Sequence, residues 1–153
     1  MSMRLQSADL ETPEFAALME THAALMLSQS PPGSCHFLAL DALRADDITA
    51  WEMRDGDTLV GCGALKHLSV THGELKSMHT LDSYRGQGLG AKMLEHTIAE
   101  ARQRGYQRLS LETGSMDGFI PSRKLYQRFG FEVCAPFGTY VEDPYSVFMT
   151  RAL

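Results

Sequence analysis

Arg85-Gly86-Gln87-Gly88-Leu89-Gly90-Ala91 is the stretch that decides the fold. It stands between a segment of strand character, Glu74 to Leu81, and the clearest helical pattern of the chain, Gly88 to Arg104. Glycine lets backbone pass close to a ligand and takes conformations closed to other residues. A helix beginning just beyond adds unpaired N–H groups and the positive end of the helix dipole. Together they make an anion site, most naturally for a pyrophosphate, and the Arg85 guanidinium adds a charge beside it.

Working outward, Met3 to Ser7 reads as a short strand. Thr12-Pro13 is a helix start, a capping hydroxyl followed by proline in the first turn, and Phe15, Leu18, Met19, His22 and Met26 recur at helical spacing. Ser30-Pro31-Pro32-Gly33 signals a loop, and Ser34 is placed to cap a second helix through Leu43. Ile48 to Arg54 and Thr58 to Leu68 flank Asp55-Gly56, a hairpin turn signal. In the Gly88–Arg104 helix Leu94, Ile98 and Ala101 share a face, Glu100 precedes Arg104 by one turn, and Gly105 stops it. Arg108 to Thr113 alternates as a half-buried strand. Asp117 to Phe129 reads as a helix closed by Gly130, and Phe131 to Cys134 and Ser146 to Thr150 as strands. The order is β-α-α-β-β-β-α-β-α-β-β: one α/β domain over residues 1–153, with a mixed sheet, an antiparallel N-terminal half and one β-α-β crossover.

Three ligands compete for the glycine loop. Gly86-x-Gly88-x-x-Ala91 satisfies the GxGxxG/A dinucleotide pattern, and Glu112 lies about twenty residues beyond it. That fingerprint turns straight out of its strand, whereas Asp82-Ser83-Tyr84-Arg85 intervene here, and too few strands remain downstream. A P-loop needs Gly-Lys-Ser/Thr at its end, which Gly90-Ala91-Lys92-Met93 does not supply. Coenzyme A is the third candidate.

Arg85-x-x-Gly88-x-Gly90 resembles the R/Q-x-x-G-x-G/A motif of the GNAT superfamily of N-acetyltransferases. Glu74-Leu75-Lys76-Ser77-Met78-His79-Thr80 looks like the strand before it in that family, and Leu125-Tyr126-Gln127-Arg128-Phe129-Gly130-Phe131 like its L-Y-x-x-x-G-F segment. The three pieces keep their order across residues 74–131. Leu111-Glu112-Thr113-Gly114 and the tail from Pro136 to Met149 resemble a subgroup of small bacterial members.

The resemblance implies a mixed sheet of about six to seven strands, splayed in the middle and flanked by about four helices. It implies acetyl-CoA as donor and no metal. The backbone of Gly86, Gln87, Gly88, Leu89, Gly90 and Ala91, with Arg85, then holds the pyrophosphate. The strand through Met78, His79 and Thr80 pairs with the pantetheine amides as a peptide adds to a sheet edge, and an N–H near Met78 or His79 stabilises the oxyanion. An alkylammonium is less than about 0.1% neutral at pH 7, so a carboxylate or His is needed as base; Glu74, Glu112 and His79 are candidates. Tyr126 occupies the position of the acid for the thiolate. Many relatives carry an Asn contacting the cofactor where this chain has Phe119, which leaves Ser122 or Lys124 to replace it. The acceptor, a small-molecule or peptide amine, lies between the first helices and the C-terminal strands, where Ser34, Cys35, His36, Tyr140, Glu142 and Asp143 fall; of these His36, Tyr140 and Asp143 are the expected contacts. Dimers are common in the family, so a homodimer is compatible with the resemblance, while the sequence itself does not fix the oligomeric state.

Composition bounds these readings. The chain has 153 residues, 44% hydrophobic and 22% charged, the balance of a globular domain. Fourteen basic against nineteen acidic residues give −5, which disfavours a nucleic-acid binder. No apolar run reaches the roughly 18 residues of a membrane span, and Met1 to Leu10 lacks the apolar core of a signal peptide. Cys35, Cys62 and Cys134 show no metal-ligand spacing and read as small buried residues, which with their odd number points to a cytoplasmic protein.

Overall fold

A computed structural model describes residues 3–31 and 40–153. Strand β1 (Met3–Ser7) leads into helix α1 (Pro13–Gln29), whose first turn is closed by the Thr12 hydroxyl accepting the Phe15 N–H at 3.3 Å. Strands β2 (Ile48–Asp55) and β3 (Thr58–Ser69) form the expected hairpin, with Gly56 at φ 59° in its turn. Strand β4 (His72–Thr80) follows, beginning two residues before the expected Glu74. The glycine loop leads into α2 (Leu89–Gln103), at whose end Arg104 pairs with Glu100 at 3.4 Å, and Gly105 at φ 82° ends the helix. Strand β5 (Arg108–Gly114), helix α3 (Ile120–Arg128) and strands β6 (Glu132–Cys134) and β7 (Ser146–Ala152) complete the chain.

Two expected helices differ in detail. Asp117–Phe119 forms a separate 3-10 turn and α3 proper begins at Ile120, with Pro121 in its first turn, where the missing N–H costs nothing. Of the expected helix from Ser34 to Leu43, residues 34–39 lie outside the described residues, and Leu40–Arg44 is a 3-10 turn. Among the described residues the α-helices are therefore three, with these short turns standing in for the fourth.

The seven strands form one mixed sheet in the order β1-β2-β3-β4-β5-β7-β6. All neighbours are antiparallel except β4 and β5, which α2 connects as a parallel crossover. One face packs on α2 and α3 through Trp51, Met53, Leu65, Leu75, Met93, Leu94, Leu109, Leu111 and Met149. On the other, Phe15, Leu18 and Met19 of α1 pack with Leu43 against Leu59, Cys62 and Ala64. Period-2 alternation sends Leu75 to the α2 side, so Glu74 and Lys76 point to the α1 side.

Two irregularities in the middle of this sheet make the site. First, β4 pairs with β5 only at His72↔Arg108, Gly73↔Leu109 and Glu74↔Ser110, whereas β5 stays paired with β7 from Arg108 to Gly114. Beyond Glu74 the two parallel strands part. Second, β3 and β4 shift register between Cys62↔His79 and Ala64↔Lys76. Ser77 and Met78 together oppose Gly63, a β-bulge. Ser77 is the one non-glycine residue with positive φ among the described residues, at 55°. A Cβ on Gly63 would lie 2.6 Å from Met93 Cγ and 3.2 Å from Met78 Sδ, so glycine there gives the bulge and α2 room to meet.

Candidate active site

The parting of β4 and β5 opens a cavity of about 100 Å3, and a larger cleft of about 400 Å3 continues from it along the glycine loop. The first is lined from β4 by Glu74 to Met78, from β5 by Leu111 to Gly114, and from the α1 side by His22, Met26 and Ser30. The second is lined by Met78, His79 and Thr80, by Arg85, Gly86, Gly88, Leu89, Gly90 and Ala91, and by Ser122, Leu125 and Tyr126 of α3. Met26, Met78, Phe119, Ser122 and Tyr126 belong to both, so the cavities meet at the bulge.

The glycine loop has the geometry its sequence demands. Gly86 and Gly88 stand at φ 78° and 82°, in the left-handed region, and Gly88 is the residue before the first turn of α2. Nothing of the protein lies within 4 Å of where their Cβ atoms would be, so the space above them is open to a ligand. The first N–H groups of α2 face that space with the positive end of a 15-residue helix. Arg85 is held at the cleft by its contacts to the Thr80 carbonyl at 3.3 Å and Asp82 at 3.2 Å.

The bulge is stitched from below by Cys62. Its buried thiol donates to the Ser77 carbonyl at 3.1 Å and takes the His79 backbone N–H, while burial pushes it up to about 12. It is an inert structural group, buried as expected but bonded to the very strand that faces the cleft. The Ser77 hydroxyl is buried with no hydrogen-bond partner among the described residues.

On the α1 face, Glu74, Lys76 and Tyr140 close a triangle. Tyr140 donates to Glu74 Oε2 at 2.6 Å, Lys76 Nζ lies 3.1 Å from that same oxygen, and Lys76 donates to the Tyr140 hydroxyl at 2.8 Å. The Glu74 and Lys76 side chains are only 3% and 8% exposed. Burial and then the Glu74 charge push the Tyr140 phenol up, which keeps it a neutral donor. Phe137 and Phe148 pack their rings against Tyr140 at 5.2 and 5.4 Å. Glu112 lines the cavity, half-buried, on the same face. Tyr126 lines both cavities and is almost buried, and burial pushes its ionisation up, so it stays protonated.

Most of the residues expected at the site are thus brought together. Gln87 is in the loop but not on the cleft wall, and Lys124 is likewise absent from it, which leaves Ser122 of the two expected replacements on the same wall as Phe119. Asp143 lies away from both cavities: its Oδ1 accepts the Tyr145 N–H at 2.8 Å in a turn before β7. His36, Cys35 and Ser34 lie outside the described residues. Sequence reasoning missed Lys76 and His22. Lys76 was legible, since it stands two residues from Glu74 and period 2 puts both on one face. His22 has the spacing of one more member of the α1 core stripe, and nothing local sets it apart. Among the described residues no group of three or more His, Cys, Asp or Glu is placed to hold a metal, and no helix is long and apolar enough to cross a membrane.

Residues 12–131 match the model of the acetyltransferase (GNAT) family. The chain belongs to the GNAT family. It is 50% identical to the uncharacterized N-acetyltransferase YsnE of Bacillus subtilis over 99% of this chain and 100% of that one. A Klebsiella pneumoniae structure described as an acyl-CoA N-acyltransferase superposes with a TM-score of 0.77 at 33% identity, covering 99% of this chain and 97% of that one. The fold of a Salmonella typhimurium protein crystallised with acetyl-CoA matches with a TM-score of 0.74 at 19% identity, over 99% and 94% of the two chains. The dinucleotide and P-loop readings of the glycine loop give way to the acyl-CoA reading, and the splayed seven-stranded sheet is the GNAT sheet.

Proposed function

We propose that this GNAT chain transfers the acetyl group of acetyl-CoA to a primary amine of a small molecule or peptide, by direct attack in a ternary complex. The observation that carries the reading is the meeting of two cavities at the bulge: one edged by a glycine anion loop, the other by carboxylates. The pyrophosphate lies against the N–H groups of residues 86–91 with Arg85 beside them. The pantetheine arm runs along β4 from Thr80 to Met78, whose edge β5 has left unpaired, and brings the thioester to the bulge. Because the His79 N–H is turned to Cys62, the Met78 N–H is the one that receives the carbonyl oxygen as it gains charge. Tyr126 gives its proton to the departing thiolate.

The acceptor enters the smaller cavity, where the Glu74 and Glu112 carboxylates meet it, with Tyr140 bonded to Glu74. An ammonium must lose a proton before it attacks. Glu112 and the Oε1 atom of Glu74 are the carboxylate positions for that proton, directly or through a water; Glu74 Oε2 is already engaged by Lys76 and Tyr140. Cys62 and Cys134 are both free thiols, in keeping with a cytoplasmic setting. The test is a panel of amines assayed for release of free CoA thiol, with thermal shift by acetyl-CoA and by NAD alongside. Thiol release with at least one amine and stabilisation by acetyl-CoA alone are expected. Stabilisation by NAD instead would refute the reading, and stabilisation by acetyl-CoA without thiol release from any amine would make the chain a binding module.

A further inference from the structure

His22 of α1 and His79 of β4 touch Nδ1 to Nδ1 at 3.0 Å, rings edge to face with centroids 5.0 Å apart, and both are buried. His22 lines the acceptor cavity but not the cofactor cleft; His79 lines the cofactor cleft but not the acceptor cavity. The pair therefore bridges the wall between them. Two imidazoles can share that contact in one way only: one Nδ1 carries the proton and the other accepts it. The ring with the protonated Nδ1 then has a bare Nε2, and its partner has Nε2–H.

From this geometry, and resting on the acetyl-transfer reading above, we infer that the His22–His79 pair is the exit path for the proton of a cationic acceptor. The overall reaction R–NH3+ + CH3CO–S–CoA → R–NH–COCH3 + CoA–SH + H+ leaves one proton over. An amine that arrives neutral leaves none, because its own N–H proton ends on the thiol. In the exit step the surplus proton, taken from the acceptor nitrogen by a cavity carboxylate or water, moves to Nε2 of His22. The Nδ1–H of His22 passes to Nδ1 of His79, and the Nε2–H of His79 goes to water in the cofactor cleft. One proton enters and one leaves, and both rings end neutral with their tautomers exchanged; the reverse hop in the solvent-filled empty site resets them. Burial pushes both imidazoles down to about 4, His79 with help from the charges of His22 and Arg85. Such a pair holds no extra proton at neutral pH, and a path need not hold one. Among the described residues, the charged and titratable groups that line the two cavities with the pair are Glu74 and Lys76 on β4, Glu112 on β5, Tyr126 and Arg128 on α3 and Tyr84 and Arg85 before the glycine loop, with Cys62 on β3 bonded to the His79 backbone.

The test substitutes His22→Asn, whose amide can keep the contact to His79 but passes no proton. It compares an alkylamine that the panel gives as acceptor with its aminooxy analogue, which is neutral at pH 7. The expected result is a loss of about 10²-fold in kcat with the alkylamine, turnover near wild type with the aminooxy compound, and an unchanged acetyl-CoA Kd. Equal losses with both acceptors, or no loss with either, would return His22 to a packing role and overturn the path. Absence of thiol release by the wild type with any acceptor would instead overturn the acetyl-transfer reading. A second measurement needs no acceptor: imidazole nitrogen NMR of the free wild-type protein at pH 7 should show one Nδ1–H ring and one Nε2–H ring. Two Nε2–H rings would mean that no proton lies between them, and would sink the inference whatever the kinetics.

Discussion

Replacing Ser77 should make the protein more stable and a worse catalyst. Ser77 sits in the bulge at φ 55°, a left-handed conformation that costs a residue with a Cβ about 1–2 kcal/mol. Its hydroxyl is buried with no partner among the described residues, a desolvation penalty of about 1–3 kcal/mol. Ser77→Ala keeps the strain and removes the hydroxyl, so it should gain about 1–2 kcal/mol. Ser77→Gly also relieves the strain, against about 0.5–1 kcal/mol of extra chain entropy in the unfolded state, for a total gain of about 1.5–3 kcal/mol. For a chain of this length that is a rise in Tm of very roughly 3–10 °C. Urea unfolding of the three proteins separates the two effects, because alanine reports the hydroxyl and the glycine–alanine difference reports the backbone. Turnover of acetyl-CoA should fall more in Ser77→Gly than in Ser77→Ala, since a glycine bulge aims the Met78 N–H less rigidly. Alanine and glycine variants no more stable than wild type would refute the reasoning, because the hydroxyl would then be making a bond worth its desolvation.

Gly88→Asp should fold, since Asp tolerates the left-handed region and suits the position before a helix, yet lose about 3 kcal/mol or two decades in acetyl-CoA affinity as its carboxylate meets the pyrophosphate; unchanged affinity by calorimetry would remove the anion site from the loop. Tyr126→Phe should lower kcat about 10²-fold with acetyl-CoA Kd unchanged, and a wild-type kcat would make the phenol a packing group. Stability should fall as pH drops from 6.5 to about 4: the folded-state values of His22 and His79 lie below their unfolded values, so the unfolded chain binds more protons in that window. The loss is at most roughly 3 kcal/mol per ring, and a urea midpoint that stays flat from pH 7 to 4, or does not flatten in His22→Phe, would contradict the buried neutral pair.

The parts of the site that lie close together in sequence were legible in it. Glycines at 86, 88 and 90 before a helix pattern announce an anion loop, because the φ values and the helix N-terminus are local properties. Tyr126 and Glu74 were legible through motif and strand position. What joins α1 to β4 was not. His22 and His79 are 57 residues apart, and nothing in an amphipathic stripe says which member meets a polar partner. The triangle of Glu74, Lys76 and Tyr140 likewise depends on the path of the chain between β6 and β7, where Pro136 to Asp143 carries no regular pattern. Asp143 falls in the same stretch: its acidity was visible, but its Asx turn to the Tyr145 N–H was not. Nor does a cysteine in a strand reveal that it will lie beneath a bulge.

The unfavourable groups of this fold are not spread evenly, and where they gather is itself an argument about function. The rest of the sheet is better satisfied: β3 is paired with both β2 and β4, β5 keeps β7 along its whole length, and the α2 face is a continuous apolar core. Against that background a few residues of β4 carry a lost strand pairing, a left-handed serine, an orphaned hydroxyl and a buried lysine–glutamate pair. Each raises the free energy of the folded chain, by about 1–3 kcal/mol for the strained or orphaned groups, and the ion pair would be neutral or better as two apolar residues. Accidental defects would scatter over the sheet. Buried polar atoms without a partner among the described residues also occur at His96 Nε2 and Ser146 Oγ, but the gathering of four such features at the lip of one cavity points to a ligand that completes what the chain leaves open: a pantetheine arm supplies the amides that β5 withdraws, and an acceptor gives the paired charges something to orient. The same clustering explains why Cys62 reads as structural and His22 as functional although both are buried polar groups. Cys62 satisfies backbone that is already there, whereas His22 and His79 bond to each other across the wall between the two cavities.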